Sequence, residues 1–187
     1  MMTVQKLLNE DKATIINMIS SGLPLKETLN FILTSLENYC DRDKVSGSIM
    51  MYNPLSNQLA ETVSPSLPKS FINAIEPVDI SPYGGSSGTA AYLKQPVIVS
   101  DIENNPLWEK YRHIAIVHGF RACLSIPLLS STQELLGTIE LYSNQIGGPD
   151  EETLKIVDVF SKIASLTIEI FNNQNVQLLY SFEIENR

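Results

Sequence analysis

With 187 residues, 43% of them hydrophobic, the chain can fill the core of one domain with elongated ends, since single domains usually run ~100 to 150 residues. A net charge of −8 at pH 7 and an isoelectric point near 4.7, with no basic cluster, exclude nucleic acid and an anionic membrane surface from the expected partners. Cys40 and Cys123 have neither metal-ligand spacing nor the look of a disulfide framework, and neither a signal peptide nor an apolar run of ~20 residues is present, so a reducing cytoplasm is the expected setting.

Val4, Leu7, Leu8, Ile15, Ile16 and Ile19 recur at helical spacing, which predicts an amphipathic helix over 3–20, ended by Gly22. This segment, 1–22, is a candidate dimerising helix. Pro24 suits the first turn of a second helix whose Leu25, Leu29, Ile32, Leu33, Leu36 and Cys40 share a face. From Val45 the period shifts to two, and Asn53-Pro54-Leu55-Ser56-Asn57 predicts a turn before a second strand at 58–64. Pro65 and Pro68 break the sheet, and a short helix is expected from Lys69 to Ile75.

Next comes Tyr83-Gly-Gly-Ser-Ser-Gly-Thr-Ala-Ala. Gly84, Gly85 and Gly88 permit close backbone approach, and Ser86 or Ser87 is placed to cap a short helix continued by Thr89, Ala90 and Ala91. A third strand is expected at 96–100, a helix at 106–117 carrying Trp108, Tyr111 and Arg112, and further strands at 120–129 and 135–143. The order implies an α+β fold, a central antiparallel sheet of five or six strands with helices on both faces and long helices at the ends.

Asp150, Glu151 and Glu152 favour the start of the last helix. At ~100° per residue, Lys155, Asp158, Ser161, Lys162, Ser165 and Glu169 occupy roughly 120° of its circumference, while its apolar residues, Val159, Ile163, Leu166 and Ile170 among them, span about 200°. A sheet covers about half of that arc, so a second partner is expected, either the N-terminal helix or the same helix of another subunit. Val176, Leu178, Leu179 and Phe182 carry the apolar pattern onward, and 172–187 reads as a helical extension towards an output domain.

The motifs Gly85-Ser86-Ser87-Gly88-Thr89-Ala90-Ala91, Asp101-Ile102 with Asn105-Pro106-Leu107-Trp108, Gly119-Phe120-Arg121-Ala122-Cys123, and Leu136-Gly137-Thr138 follow one another in a defined order. In that order they resemble the GAF domain family, and most closely a bacterial sensory subgroup of it. The resemblance spans roughly 23–171, with Ser87 where the subgroup has cysteine and Asn105 where it has aspartate. It implies a sensory module, not an enzyme, that binds an unidentified small molecule. It also implies a homodimer joined through terminal helices and an output domain in the same full-length chain, a histidine kinase or a cyclic-di-GMP enzyme. No cofactor is specified.

The strand alternation points to the same region independently. Arg121, Cys123 and Ser125 share a face, as do Thr138, Glu140 and Tyr142, and Ser46, Ser48 and Tyr52, each set opposite apolar neighbours. A solvated face would carry long charged side chains, so Ser, Thr, Cys and Tyr there predict a cavity lining. The candidate ligand-binding set is Tyr83, Ser86, Ser87 and Thr89 on the glycine-rich segment, Trp108, Tyr111, Arg112 and His118 on the following one, and Arg121, Cys123, Ser125, Glu140 and Tyr142 on the strands. Plain readings stand beside these: an Arg121–Glu140 ion pair, Cys123 as a buried filler, and Trp108 and Tyr111 as core. His113 and His118, five apart, miss the helical spacing of paired metal ligands. The alternatives are a GAF-type free methionine sulfoxide reductase, for which the cysteines match poorly, a cyclic-nucleotide sensor, a bilin photoreceptor, which lacks a Cys-His pair, and a ligandless dimerisation module.

Overall fold

The computed structural model describes residues 4–41 and 44–185, with side chains described from 9 to 174 within those spans. Helices α1 (Val4–Ser20) and α2 (Leu25–Tyr39) lead into strands β1 (Val45–Asn53) and β2 (Gln58–Val63). Helix α3 (Lys69–Ile75), the two-residue strand β3 (Val78–Asp79), helix α4 (Gly85–Leu93) and strand β4 (Val97–Val99) follow. A 3-10 turn (Pro106–Trp108), helix α5 (Arg112–Val117), strands β5 (Ala122–Leu129) and β6 (Leu135–Ser143) and helix α6 (Glu151–Glu185) complete the chain. The Val4, Leu7, Leu8, Val176, Leu178, Leu179 and Phe182 side chains lie outside the described residues, so the expectations resting on them are untouched.

The six strands form one antiparallel sheet in the order β3-β2-β1-β6-β5-β4, with β6 and β1 at its centre. One face is oily. Ile49, Leu124, Leu128, Ile139 and Leu141 meet Leu29, Ile32, Leu33 and Leu36 of α2 and Ile156, Val157, Phe160, Ala164 and Ile168 of α6, and α1 adds Ile15 over α2. Each such side chain contributes roughly 1.5–3 kcal/mol on full burial, so this layer carries much of the fold's stability. The opposite face is covered by α3, α4, the 3-10 turn and α5.

Two sequence expectations are corrected in detail. The helix expected over 106–117 is divided: Asn105 Oδ1 accepts from Leu107 N at 3.0 Å to cap a single 3-10 turn, and α5 begins only at Arg112. Ser86 and Ser87 lie inside α4 rather than capping it, because the N-cap is Gly84. The strand pair β2–β3 was invisible to periodicity because β3 is only two residues long. A register shift lies between Ile49 and Met51, opposite Glu61 at φ +52°, where β2 carries the extra residue of a bulge.

On α6, Val159, Ile163 and Ile170 are half-buried and Leu166 is 59% exposed, and the four fall on one stripe at i, i+4, i+7 and i+11. Ile16 of α1 is 61% exposed. The wide apolar arc on α6 is therefore only partly covered within one chain.

Candidate functional site

The site is built on the middle of β6. Glu140 pairs in register with Ser48 of β1 on one side and Ser125 of β5 on the other, and Tyr142 pairs with Ser46 and Cys123 one step along. Because side chains alternate across a strand, Ser48, Glu140 and Ser125 stand in a row on the face opposite α6. Helix α4 roofs them. Ser87 Oγ lies 3.5 Å from Ser125 Oγ, and Ser86 Oγ lies 3.5 Å from Cys123 Sγ.

Small residues let α4 come this close. A Cβ on Gly84 would sit 2.0 Å from the Asp79 carbonyl oxygen, and one on Gly88 would sit 2.2 Å from the same atom. Only glycine fits at either position, so the first turn of α4 is held directly against the β3 backbone.

Ser48, Ser125, Thr138 and Glu140 are all 1% exposed or less. Ser48 Oγ donates to Glu140 Oε2 at 2.6 Å. Glu140 Oε1 and Thr138 Oγ1 have no hydrogen-bond partner, and neither have the buried Trp108 Nε1 and Arg112 Nε. Burial raises the Glu140 carboxyl from 4.5 to about 7, against the pull of the Ser48, Thr138 and Ser87 hydroxyls. Burial also pushes the Cys123 thiol up to about 12, with Glu140 adding to the rise and the Ser86 and Ser125 hydroxyls opposing it. Tyr142 is raised well above its ordinary value by burial first, then by Cys123 and Glu140.

The hollow expected from the strand pattern is corrected in size. A cavity of only about 20 Å³, lined by Ile75, Val78, Gly84 to Ser87, Trp108, Tyr111 and Tyr142, remains beneath α4. That is room for about one water. The space is filled by aromatic rings: Phe71 packs edge-on against Tyr142 at 5.3 Å and Phe120 at 4.9 Å, and Trp108 meets Tyr142 at 6.2 Å. Two larger hollows, of about 510 Å³ at the α2–α6 end of the sheet and about 690 Å³ beside the β1–β2 hairpin, lie elsewhere. Neither is lined by an unpartnered buried polar atom, whereas Trp108 Nε1 opens on the space under α4, which makes that space the better candidate despite its size.

Ser86, Ser87, Trp108, Tyr111, Cys123, Ser125, Glu140 and Tyr142 are brought together here. The other members of the candidate set lie apart. Tyr83 is 85% exposed, and Thr89 Oγ1 bonds the Pro82 carbonyl. Arg112 Nη2 donates to the Asn105 carbonyl at 3.2 Å. His118 sits between Ser70 Oγ and the Ile114 carbonyl, edge-on to Phe71. The expected Arg121–Glu140 pair is also corrected: Arg121 Nη1 meets Glu103 at 3.4 Å near the surface, because the guanidinium reaches water from the start of β5 while Glu140 is sealed at the sheet's centre. Ser48 and Thr138, left out of the candidate set, belong to the tier; their alternation with Ile49 and Ile139 was the available signal.

Among the described residues, no group of three His, Cys, Asp or Glu side chains could hold a metal, and no helix is long and apolar enough to cross a membrane.

The sequence model of the GAF domain matches residues 22–169. The chain is 31% identical over 157 residues to a methyl sulfide methyltransferase-associated sensor from Methanosarcina acetivorans, an alignment that takes in 83% of this chain and 15% of that protein's length. Among solved structures, the GAF domain of a phosphoenolpyruvate-protein phosphotransferase from Coxiella burnetii superposes with a TM-score of 0.70 at 13% identity, covering 89% of this chain and 95% of that one. A free methionine-R-sulfoxide reductase from Neisseria meningitidis, in complex with its substrate, superposes with a TM-score of 0.62 at 17% identity, covering 88% and 87%. The last match overturns the expectation that the chain is not an enzyme, because the same fold carries a reductase.

Proposed function

Since the chain belongs to the GAF domain family, we infer that it is the sensory domain of a larger signalling protein, binding a small molecule between the sheet and the 79–118 segment. The observation that carries this reading is the sealed tier under α4, where a carboxyl oxygen, a hydroxyl and an indole N–H are all unpartnered. Leaving such groups unmade costs roughly 1–3 kcal/mol each, and a ligand that satisfies them recovers that energy. With room for about one water in the closed form, a ligand enters only if α4 and the 80–84 loop move off the sheet.

A route from that movement to α6 is supported by a continuous set of contacts. Lys94, the left-handed C-cap of α4 at φ +52°, donates through Nζ to the Gln133 carbonyl at 2.6 Å in the β5–β6 turn. In the same turn Ser131 N donates to Glu169 of α6 at 3.0 and 3.2 Å. Displacing α4 therefore pulls on the turn that holds α6. The Val159–Ile163–Leu166–Ile170 stripe fits a second copy of the chain, so the output, a histidine kinase or a cyclic-di-GMP enzyme, would be driven by a homodimer.

Native mass spectrometry of the purified chain after incubation with cell extract tests the ligand. A bound mass is expected on the wild type and lost in Ser87→Leu, which fills the space; a wild type that retains nothing sinks the reading. Sedimentation velocity tests the dimer, which Leu166→Glu is expected to dissociate.

A second reading is favoured by Cys123 lying in the same tier beneath Ser86, in a fold shared with a methionine sulfoxide reductase. Turnover of free methionine sulfoxide that disappears in Cys123→Ser would establish it.

A further inference from the structure

The geometry points to the chemical class of the ligand: the Ser48–Glu140–Ser125 tier under Ser87 recognises a small molecule bearing a cationic nitrogen, a primary ammonium or a guanidinium. This rests on the ligand-binding reading above and narrows it.

Glu140 is 0% exposed and offers an unpartnered carboxylate oxygen. A buried carboxylate calls for a hydrogen-bond donor, and a positively charged donor offsets its lost hydration far better than a neutral one. Among the described residues no Lys or Arg is paired with Glu140, whose one hydrogen bond is to Ser48. Arg121 meets Glu103, Lys94 the Gln133 carbonyl, and Arg112 the Asn105 carbonyl through Nη2, with its own buried Nε left without a partner. What surrounds Glu140 is a ring of hydroxyls: Ser48 in contact at 2.6 Å, with Thr138, Ser87 and Ser125 around it. Hydroxyls orient a carboxylate without neutralising it. An anionic ligand would be repelled at Glu140, since like charges at close range in a dry site disfavour each other.

The approach is also defined. Ser87 both lines the small cavity and faces Glu140, so a ligand seated under α4 reaches the carboxylate by displacing that hydroxyl. Trp108 Nε1, an unpartnered donor on the same cavity, would take an acceptor at the ligand's other end. The titratable groups facing Glu140 are Cys123 on β5 and Tyr142 on its own strand; β1 and α4 contribute only hydroxyls. All three sites are raised by burial, so in the closed form at neutral pH Cys123 and Tyr142 are uncharged, and Glu140 is the group that an ammonium would hold in its ionised state.

The test is thermal unfolding of the purified chain at pH 8 and pH 6 with ethylammonium, ethanolamine or 1,4-diaminobutane as chloride salts, against sodium propionate and glycolate at matched ionic strength. At ten times its Kd an ammonium probe is expected to raise Tm by about 3 to 6 °C. The rise should be larger at pH 8 than at pH 6, because the carboxylate form binds, and it should vanish in Glu140→Gln and in Ser87→Leu while persisting in Arg121→Gln. If no ammonium raises Tm at pH 8, or if the rise survives in Glu140→Gln or Ser87→Leu, the assignment is overturned. Stabilisation by the carboxylates alone overturns it too, yet leaves intact the reading that a small molecule binds under α4.

Discussion

Replacing Glu140 with glutamine isolates the energetic consequence of sealing an acid in the middle of the sheet. Its carboxyl is raised from 4.5 to about 7, chiefly by burial. Because the folded state holds the proton more tightly than the unfolded state, the contribution to stability is fully present below pH 4.5 and is lost as the pH rises through 7. Two and a half units at 1.36 kcal/mol per unit amount to about 3 kcal/mol, all of it lost by about pH 8. Glutamine keeps the shape and cannot ionise. Glu140→Gln should therefore differ little from the wild type at pH 4.5 and be more stable by up to about 3 kcal/mol at pH 8, some 6 to 12 °C in Tm for a chain of this length. Urea unfolding of both proteins at half-unit steps from pH 4.5 to 8.5 reads this directly, since every other titrating group is common to the two and cancels in the difference. Parallel stability curves across that range would refute the reasoning and mean that Glu140 stays ionised in the fold.

Three further outcomes follow from the geometry. Gly88→Ala places a methyl 2.2 Å from the Asp79 carbonyl, a backbone atom that cannot swing aside; a loss of about 1–3 kcal/mol is expected, with a change in the fluorescence of Trp108, the single tryptophan, as α4 lifts. An unchanged spectrum and stability would mean that α4 is not seated against β3. Phe71→Ala removes the ring that meets His118, Phe120 and Tyr142, and about 3–5 kcal/mol should be lost in denaturant unfolding. With both thiols pushed up to about 12, by burial foremost, Cys123 should react with a disulfide reagent at pH 7.5 only after unfolding and Cys40 slowly; rapid native labelling of Cys123 would contradict its burial.

The oily side of the sheet was legible because its code is redundant. Leu29, Ile32, Leu33 and Leu36 repeat at helical spacing and Ile139 and Leu141 at strand spacing, and each pattern implies the other's partner. The two-sidedness of β1, β5 and β6 was legible for the same reason, and it located Cys123, Ser125, Glu140 and Tyr142 together. Contacts made by long side chains were not legible. Alternation put Arg121 beside Glu140, but a guanidinium on a flexible stem goes to whichever carboxylate lets it stay hydrated, and that is Glu103. Cavity size was hidden as well, because it depends on where Phe71, Trp108 and Tyr142 from three distant segments point their rings.

That filled interior bears on how a sensor of this kind could work. Bonded by Ser48, with the Thr138 and Ser87 hydroxyls nearby, Glu140 makes the fold less stable as the pH rises through 7, while the Gly84 and Gly88 contacts and the aromatic packing hold α4 down. The closed state is thus held by packing and opposed by one buried acid. A ligand that satisfies the acid and displaces the ring packing shifts the balance by its differential affinity for the two states, and ~1–3 kcal/mol is enough for such coupling. Such a displacement would reach Lys94 and, through the β5–β6 turn, Glu169 on α6. If the coupling runs this way, breaking the turn's hold with Glu169→Ala should leave ligand binding to the chain intact and remove any ligand-dependent change in α6, readable as hydrogen exchange of that helix. A protein in which Glu169→Ala still transmits the change in full would show that the signal leaves the pocket by another path.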